Sequence, residues 1–99
     1  MTDNPQAADL KLTVSPLARR GERIEASIDA SNVTQTVVTL SAPDTVVISQ
    51  PHTQVAGIGT FKQTVGWDVV HVKEGLSTWV EITASAGGLT QMGLCKVIG

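Results

Sequence analysis

Apolar and polar residues alternate with a period of two along several short segments of this chain. The alternation is most regular in residues 23–31, where the apolar positions are Ile24, Ala26, Ile28 and Ala30, with polar residues between them. Because successive side chains of a β-strand point to opposite faces of a sheet, this pattern predicts a strand with one buried and one solvated face. No long window keeps the helical period, so the sequence predicts an all-β fold.

Residues 64–86 contain two further alternating segments and both tryptophans of the chain. The polar break Lys73-Glu74-Gly75 predicts a turn between them, so the two segments should form a pair of strands. The predicted inward positions are Val65, Trp67 and Val69 in the first strand, and Val80, Ile82 and Ala84 in the second. The second strand then turns Trp79, Glu81, Thr83 and Ser85 outward. We expect this pair to anchor the core.

Shorter alternating or β-branched segments predict strands at residues 10–14, 36–40, 45–49 and 90–98. The residues between them predict a charged turn at 16–22, a turn at 32–34 and a two-residue hairpin loop at Gly87-Gly88. Residues 50–60, which include Pro51, Gly57 and Gly59, are expected to form the longest irregular stretch.

These elements make up one domain at residues 9–99, preceded by a flexible tail. Residues 1–8 are polar and include Pro5, which predicts a tail with no place in a sheet. About seven short strands separated by turn signals describe a sandwich of two antiparallel sheets. A chain of 99 residues buries enough surface to fold without a metal or a disulfide. Its single cysteine, Cys95, is predicted to be a buried thiol in the last strand.

Two stretches of the sequence resemble bacterial and phage immunoglobulin-like domains. In LKLTVSPLARRGERIEASIDASN, an extended strand leads through a glycine-containing turn into an alternating strand. The stretch GWDVVHVKEGLSTWVEITASAGG is similar to the closing strands of such domains. The resemblance covers residues 9–97, although the Cys-Trp-Cys pattern of antibody domains is absent. It implies an immunoglobulin-like sandwich with an adhesive, spacer or decorating role.

Charge and hydropathy exclude several classes of partner. The formal net charge is −2 and the pI about 5.5, whereas a general nucleic-acid binder needs a basic face that displaces counterions. No apolar run approaches the ~20 residues of a membrane-spanning helix, so membrane insertion is not expected. The first residues, MTDNPQAAD, have neither the basic start nor the apolar core of a signal peptide.

The sequence offers no constellation of residues typical of an active site or a metal site. His71 is expected to continue the inward face of Val65, Trp67 and Val69 near a strand end, where it can cap the core edge. His52 follows Pro51 in a loop, and the carboxylates are scattered, so neither histidine belongs to a nucleophile motif. Two histidines and one thiol are too few for a closed zinc site. The glycines of residues 50–60 lack the following helix that a phosphate-binding loop requires. We therefore expect no catalytic residue, no metal and no cofactor, and a protein that is not an enzyme.

The leading hypothesis from the sequence is a non-enzymatic structural or interaction module. A capsid decoration or cement protein on a virion surface fits best, since such a protein is made in the host cytoplasm and needs only a docking surface. Its partner would be a capsid lattice or copies of itself. The alternative is an accessory spacer or carbohydrate-binding domain within a larger secreted or cell-surface protein. A weaker third hypothesis is a small enzyme or ligand carrier that uses residues 50–60.

Trp79 is the only residue-level candidate for an interface, together with its outward neighbours Glu81 and Thr83. An outward tryptophan on a polar sheet face is typical of an interaction surface, because buried tryptophans are frequent interface hot spots. The other interpretation places Trp79 at the start of its strand, folded over the open end of the sandwich as part of the core edge. The sequence leaves both interpretations open.

We predict that Ile28→Ala will be among the most destabilising single substitutions. Ile28 is central in the most regular alternating strand, so its truncation should leave a cavity that costs about 2–5 kcal/mol. Denaturant titration of the variant measures this loss, with Ser27→Ala as the control on the opposite face of the same strand. A loss below about 1 kcal/mol would mean that the register of this strand is wrong.

Overall fold

The computed structural model describes residues 7–99, and these residues form seven β-strands with no helix. The strands are β1 (Asp9–Val14), β2 (Leu17–Arg19), β3 (Arg23–Ser41), β4 (Val46–Ile48), β5 (Thr53–Val72), β6 (Ser77–Ala86) and β7 (Leu89–Ile98). The all-β fold and the number of strands predicted from the alternation are confirmed. The predicted tail lies mostly outside the described residues, and Ala7 and Ala8 precede β1 without joining a strand.

Two long antiparallel strands, β3 and β5, form the frame of the molecule. Residues 23–30 of β3 pair with residues 61–68 of β5, and residues 33–39 of β3 pair with residues 53–59 of β5. The register shifts between these two halves. There the backbone has a positive φ at Asn32 (53°) and at Gly59 (83°). Such irregularities bend a strand pair sharply.

The long strand pair folds back at this bend, so that its two halves lie over each other. The Gln54 side-chain amide donates to the Gly66 carbonyl at 3.0 Å, and the Trp67 indole N–H donates to the Pro51 carbonyl at 2.9 Å. Twelve residues of straight strand would span roughly 40 Å, so these contacts require that β5 doubles over. The sheet therefore has two layers that share β3 and β5.

The other strands extend each layer. In the first layer, β1 adds to residues 26–31 of β3, and β4 adds to residues 69–72 of β5. In the second layer, β6 pairs with residues 37–41 of β3, β7 pairs with β6, and β2 pairs with β7. All pairs are antiparallel except β2 with β7, which is parallel. Because the shared strands join the layers, all seven strands belong to one hydrogen-bonded sheet.

The core lies between the two layers and takes its side chains from both. Trp67 is its largest member and is fully buried, and the predicted inward faces of β3, β5 and β6 are buried as expected. Ile28 is 1% exposed, which agrees with the register assumed for its strand. Thr36 is the buried polar residue of the described core, and its hydroxyl donates to the Thr34 carbonyl. The buried polar side chains of residues 7–99 all have hydrogen-bond partners.

Two predicted turns are instead parts of strands. Residues 32–34 were expected to separate two strands, but they lie inside β3, because the chain changes layer through a bulge and keeps its pairing with β5. Within the predicted charged turn at 16–22, Leu17–Arg19 forms β2, whose central Ala18 is fully buried. A strand of three residues carries too short a pattern to be recognised from sequence.

Residues 50–60 were expected to be irregular, and this prediction is also wrong. From Thr53 onward they belong to β5. Gly57 lies under the ring of Phe61, where a Cβ atom would be only 3.1 Å from the ring carbons. Gly57 therefore permits the tight bend of β5, and Gly59 supplies its positive φ.

An irregularity in the pairing of β4 with β5 changes the exposure of His71. Val69 and Val72 are both buried, whereas Val70 and His71 between them are exposed. The register of β4 against β5 shifts at this position. The expectation that His71 continues the inward face of Val65, Trp67 and Val69 is therefore wrong. By contrast, the hairpin loop predicted at Gly87-Gly88 is present between β6 and β7.

Gly93 of β7 is a sensitive point of contact between the layers. A Cβ atom at Gly93 would lie 2.6 Å from Cγ2 of Val14 in β1, which is far inside van der Waals contact. We expect Gly93→Ala to lower the free energy of unfolding by about 1–3 kcal/mol through overpacking, as measured by denaturant titration.

Gly88→Ala is the matched control for this substitution, because a Cβ atom there would meet no heavy atom within 4 Å and the φ of Gly88 is not positive. It should change stability by less than about 0.5 kcal/mol. Val14→Ala should make Gly93→Ala less costly in a double-mutant cycle. Equal effects of the two glycine substitutions would contradict the packing of β1 on β7.

Candidate interaction surface

The outer face of the second layer carries a group of exposed apolar side chains. Cross-strand pairs fix which residues share this face, since paired residues of neighbouring strands point the same way. Trp79 pairs with Lys96, Glu81 with Leu94, and Thr83 with Met92. On one side, Leu17 of β2 pairs with Lys96. On the other side, Ser85 of β6 pairs with Val37 of β3, and Val37 pairs with Val55 of β5, so the same face continues to Val55. We call the set Leu17, Val55, Trp79, Met92 and Leu94 the apolar face.

These five side chains are as accessible as ordinary surface residues. Their exposed fractions are 58% for Trp79, 60% for Met92, 51% for Leu94, 58% for Val55 and 44% for Leu17. Large apolar side chains exposed singly are normal on a protein surface, whereas several on one sheet face make that face a candidate interaction surface. Aromatic residues and methionine are also the types enriched in the cores of protein interfaces.

The outer face of the first layer is polar by contrast. Its outward residues on β1, on the first half of β3 and on residues 62–68 of β5 are charged or hydroxylated: Lys11, Thr13, Arg23, Glu25, Ser27, Asp29, Lys62, Thr64 and Asp68. Near the β4 edge, Val47 and Val70 are exposed apolar residues of the same layer. Lys62 and Asp29 form an exposed ion pair at 3.9 Å, and Ser27 and Thr64 share a hydrogen bond. A shallow, open depression crosses this face between Lys11 and Lys62. The two outer faces of the molecule are therefore chemically different.

All three interface candidates predicted from sequence lie on the second layer. Trp79 and Glu81 are exposed and Thr83 is half-buried. Trp79 points away from the core, so the interpretation in which it folds over the open end of the sandwich does not fit its position. Whether these residues form an interface stays a prediction. Sequence reasoning missed Met92 and Leu94, although their outward positions follow from alternation with the buried Cys95 and Val97.

Two charged residues lie among the apolar side chains. Lys96 is directly opposite Trp79, and Glu81 is directly opposite Leu94. Both charged side chains are exposed. The ion pairs among residues 7–99 are Arg23 with Asp68 and Lys62 with Asp29, so neither Lys96 nor Glu81 has an ionic partner there. Both charges are therefore available to an approaching surface.

Asp68 of β5 is the centre of a polar cluster that joins β5 to Gln50, in the connection between β4 and β5, and to Arg23 of β3. The Gln50 side-chain amide donates to the Asp68 carboxylate at 2.6 Å, and the Arg23 guanidinium donates to it at 3.2 Å. The Gln50 hydrogen bond, together with the charge of Arg23, lowers the pKa of Asp68 below its usual value. The side-chain Oε1 of Gln50 in turn accepts from the Asp68 backbone N–H. These contacts attach the connection between β4 and β5 to the sheet, which is a structural role.

Other kinds of site find little support in the described part of the chain. Residues 7–99 contain no group of three or more His, Cys, Asp and Glu side chains placed to hold a metal ion. His52 and His71 are both exposed, and they lie on separate segments. No helix in this part of the chain is long and apolar enough to cross a membrane. No protein-family model and no curated protein sequence matches this chain.

The thiol of Cys95 is enclosed in the core, as the sequence predicted. Its side chain is fully buried, and this burial raises its pKa from 9.0 to about 11. The thiolate is the reactive form of cysteine, and it is scarce when the pKa is high. This environment is that of an inert core residue.

We predict that Cys95 reacts slowly with an alkylating reagent in the folded protein at about pH 8.5, the ordinary pKa of a free thiol. Urea-unfolded protein should react at the rate of a free thiol, and mass spectrometry can follow both reactions. Because the native thiol keeps its proton from pH 9.0 to about 11, the free energy of unfolding should also fall across this range. Equal alkylation rates in the folded and unfolded protein would contradict the burial of Cys95.

Proposed function

We propose that this protein is a non-enzymatic interaction module that docks onto a protein surface through its apolar face. The observation that carries this proposal is the contrast between the two outer faces: one presents Trp79, Met92 and Leu94, whereas the other is mainly polar, with Val47 and Val70 exposed near its β4 edge. Exposure of this much apolar surface costs free energy in water, and a docking partner removes that cost.

A protein partner fits the chemistry of this face better than a carbohydrate. Carbohydrate-binding surfaces combine an aromatic platform with polar groups that hydrogen-bond to sugar hydroxyls. Trp79 could serve as such a platform, with Lys96 and Glu81 as its polar neighbours, but Met92 and Leu94 on the same face offer no groups that hydrogen-bond to sugar hydroxyls. Aliphatic and thioether side chains around an aromatic anchor are typical of protein interfaces. Trp79 is nevertheless the observation that keeps a carbohydrate-binding accessory domain as the second candidate.

The resemblance to bacterial and phage immunoglobulin-like domains supports a decorating or spacer role. The order of pairing in the second layer, β2-β7-β6-β3-β5, is compatible with that kind of sandwich. We propose a capsid decoration or cement protein on a virion surface as the specific setting, with the apolar face against the capsid lattice or against a copy of the chain within the particle. The same face in an accessory domain of a secreted or cell-surface protein would contact a neighbouring domain.

The size of the protein in material from its natural source separates these settings. Recovery only in a large particle supports the decoration role, and recovery only within a long polypeptide supports the accessory domain. Specific binding of the isolated domain to polysaccharides would favour the second candidate. Recovery as a free protein that binds no particle, protein or polysaccharide would contradict the proposed function altogether.

We predict that Trp79→Ala abolishes docking on the natural partner while it changes folding stability by less than about 1 kcal/mol. The indole is 58% exposed, so its removal should leave no large cavity, and exposed positions usually tolerate truncation. Thermal unfolding gives the stability, and co-sedimentation with the partner particle gives the docking.

Val70→Ala is the matched control, since Val70 is 54% exposed but lies in the part of β5 that pairs with β4 in the first layer, away from the apolar face. It should leave docking unchanged. If Trp79→Ala lowers the free energy of unfolding of the isolated domain by several kcal/mol, the scale for a large aromatic removed from a core, then Trp79 is a core residue. If the Trp79→Ala variant docks as well as the wild type and is equally stable, the apolar face is not the docking site.

A further inference from the structure

The two charges on the apolar face are arranged so that the face is complementary to itself. Trp79 and Lys96 form one cross-strand pair, and Glu81 and Leu94 form the next pair on the same face. Paired residues are about 5 Å apart, and successive outward residues of one strand are about 7 Å apart. The four side chains therefore occupy the corners of a small rectangle. Trp79 and Leu94 occupy one diagonal, and Lys96 and Glu81 occupy the other.

A two-fold axis parallel to the sheet and along the Trp79–Leu94 diagonal exchanges the two charged corners. When a second copy is placed over the face by this axis, Lys96 of each copy lies over Glu81 of the other. The two apolar corners meet their own counterparts on the axis. An isologous dimer requires this kind of self-complementary patch. We propose that the partner on the apolar face is a second copy of this chain, held by two reciprocal Lys96–Glu81 ion pairs around Trp79 and Leu94.

Unpaired charges on the face argue against an uncharged partner. A flat apolar surface pressed against this face would desolvate Lys96 and Glu81 without an opposite charge for either, and buried charges without partners are costly. A second copy supplies both opposite charges at matching positions. Reciprocal pairs also fix the orientation of the two copies, because shifting one copy across the other brings like charges together.

The amount of apolar surface also fits a dimer. Val55 lies two strands from β6 and about 20 Å from Trp79, so this axis leaves it outside the contact. The exposed parts of Leu17, Trp79, Met92 and Leu94 add up to on the order of 400 Å², within the range of the largest patch on a monomer. A standard interface buries about 800 Å² on each partner, of which rather more than half is apolar. These four side chains, with Lys96, Glu81 and the threonines between them, therefore provide about one standard interface.

Complementary charge reversals test this inference in the isolated full-length chain. Lys96→Glu and Glu81→Lys should each weaken self-association at least about tenfold, because each places like charges opposite each other twice. An equimolar mixture of the two variants should form a heterodimer, since both contacts between unlike chains are then attractive. The double variant Lys96→Glu/Glu81→Lys should regain the homodimer. Sedimentation equilibrium on each sample measures these changes.

Charge reversals on the polar face control for nonspecific electrostatics. Lys62→Glu and Asp29→Lys alter the exposed ion pair of the first layer, and they should leave the dimer unchanged. A wild-type chain that stays monomeric, or two variants that fail to associate in the mixture while both remain folded by circular dichroism, would overturn the inference. Dimerisation that survives Trp79→Ala would overturn it as well.

The dimer rests on the proposed function of the apolar face, and the two can fail separately. If the chain is monomeric but Trp79→Ala still removes it from its natural particle, the face docks on a different protein and only the dimer is wrong. If Trp79→Ala affects neither self-association nor incorporation into the particle, the apolar face has no docking role and both proposals are wrong.

Discussion

The fold of this protein depends on the doubling over of its two longest strands. The indole N–H of Trp67 donates to the Pro51 carbonyl, and the Gln54 amide donates to the Gly66 carbonyl. These bonds hold one half of β5 over the other half. Because β3 follows β5 through the bend, the same contacts set the spacing of both layers, and the other strands only extend a frame that is already closed.

The frame also determines where function can lie. One outer face is built from β1 and the first half of β3, where the outward residues are charged or hydroxylated. The other is built mainly from β6 and β7, where alternation places Trp79, Met92 and Leu94 outward. A sandwich needs only its inner faces to be apolar, so the apolar residues on the outer face of the second layer require another explanation. The proposed contact with a protein partner would account for their size, exposure and neighbouring charges.

Local patterns predicted much of this structure because they act within a single strand. The period of two identified the buried faces around Ile28, Trp67 and Ile82 and placed Trp79 outward. Features that depend on two strands were missed. The bend at Asn32 and Gly59 was interpreted as a turn and a loop, since glycine and asparagine signal a positive φ without saying whether pairing continues through it. The apolar face was only partly predicted, because cross-strand register brings Leu94 and Lys96 to Trp79, and one strand's sequence does not contain that register.

The sharing of β3 and β5 between the layers has a consequence for how the protein opens. In a sandwich of two separate sheets, one sheet can loosen while the other stays paired. Here each long strand supplies backbone partners to both layers, so the first layer cannot unzip without pulling on the second. We therefore expect slowly exchanging amide protons to form one cooperative unit that spans both layers, with few partly open states for a protease to cut. The proposed docking role would gain from this, since the apolar face is then either wholly present or wholly lost.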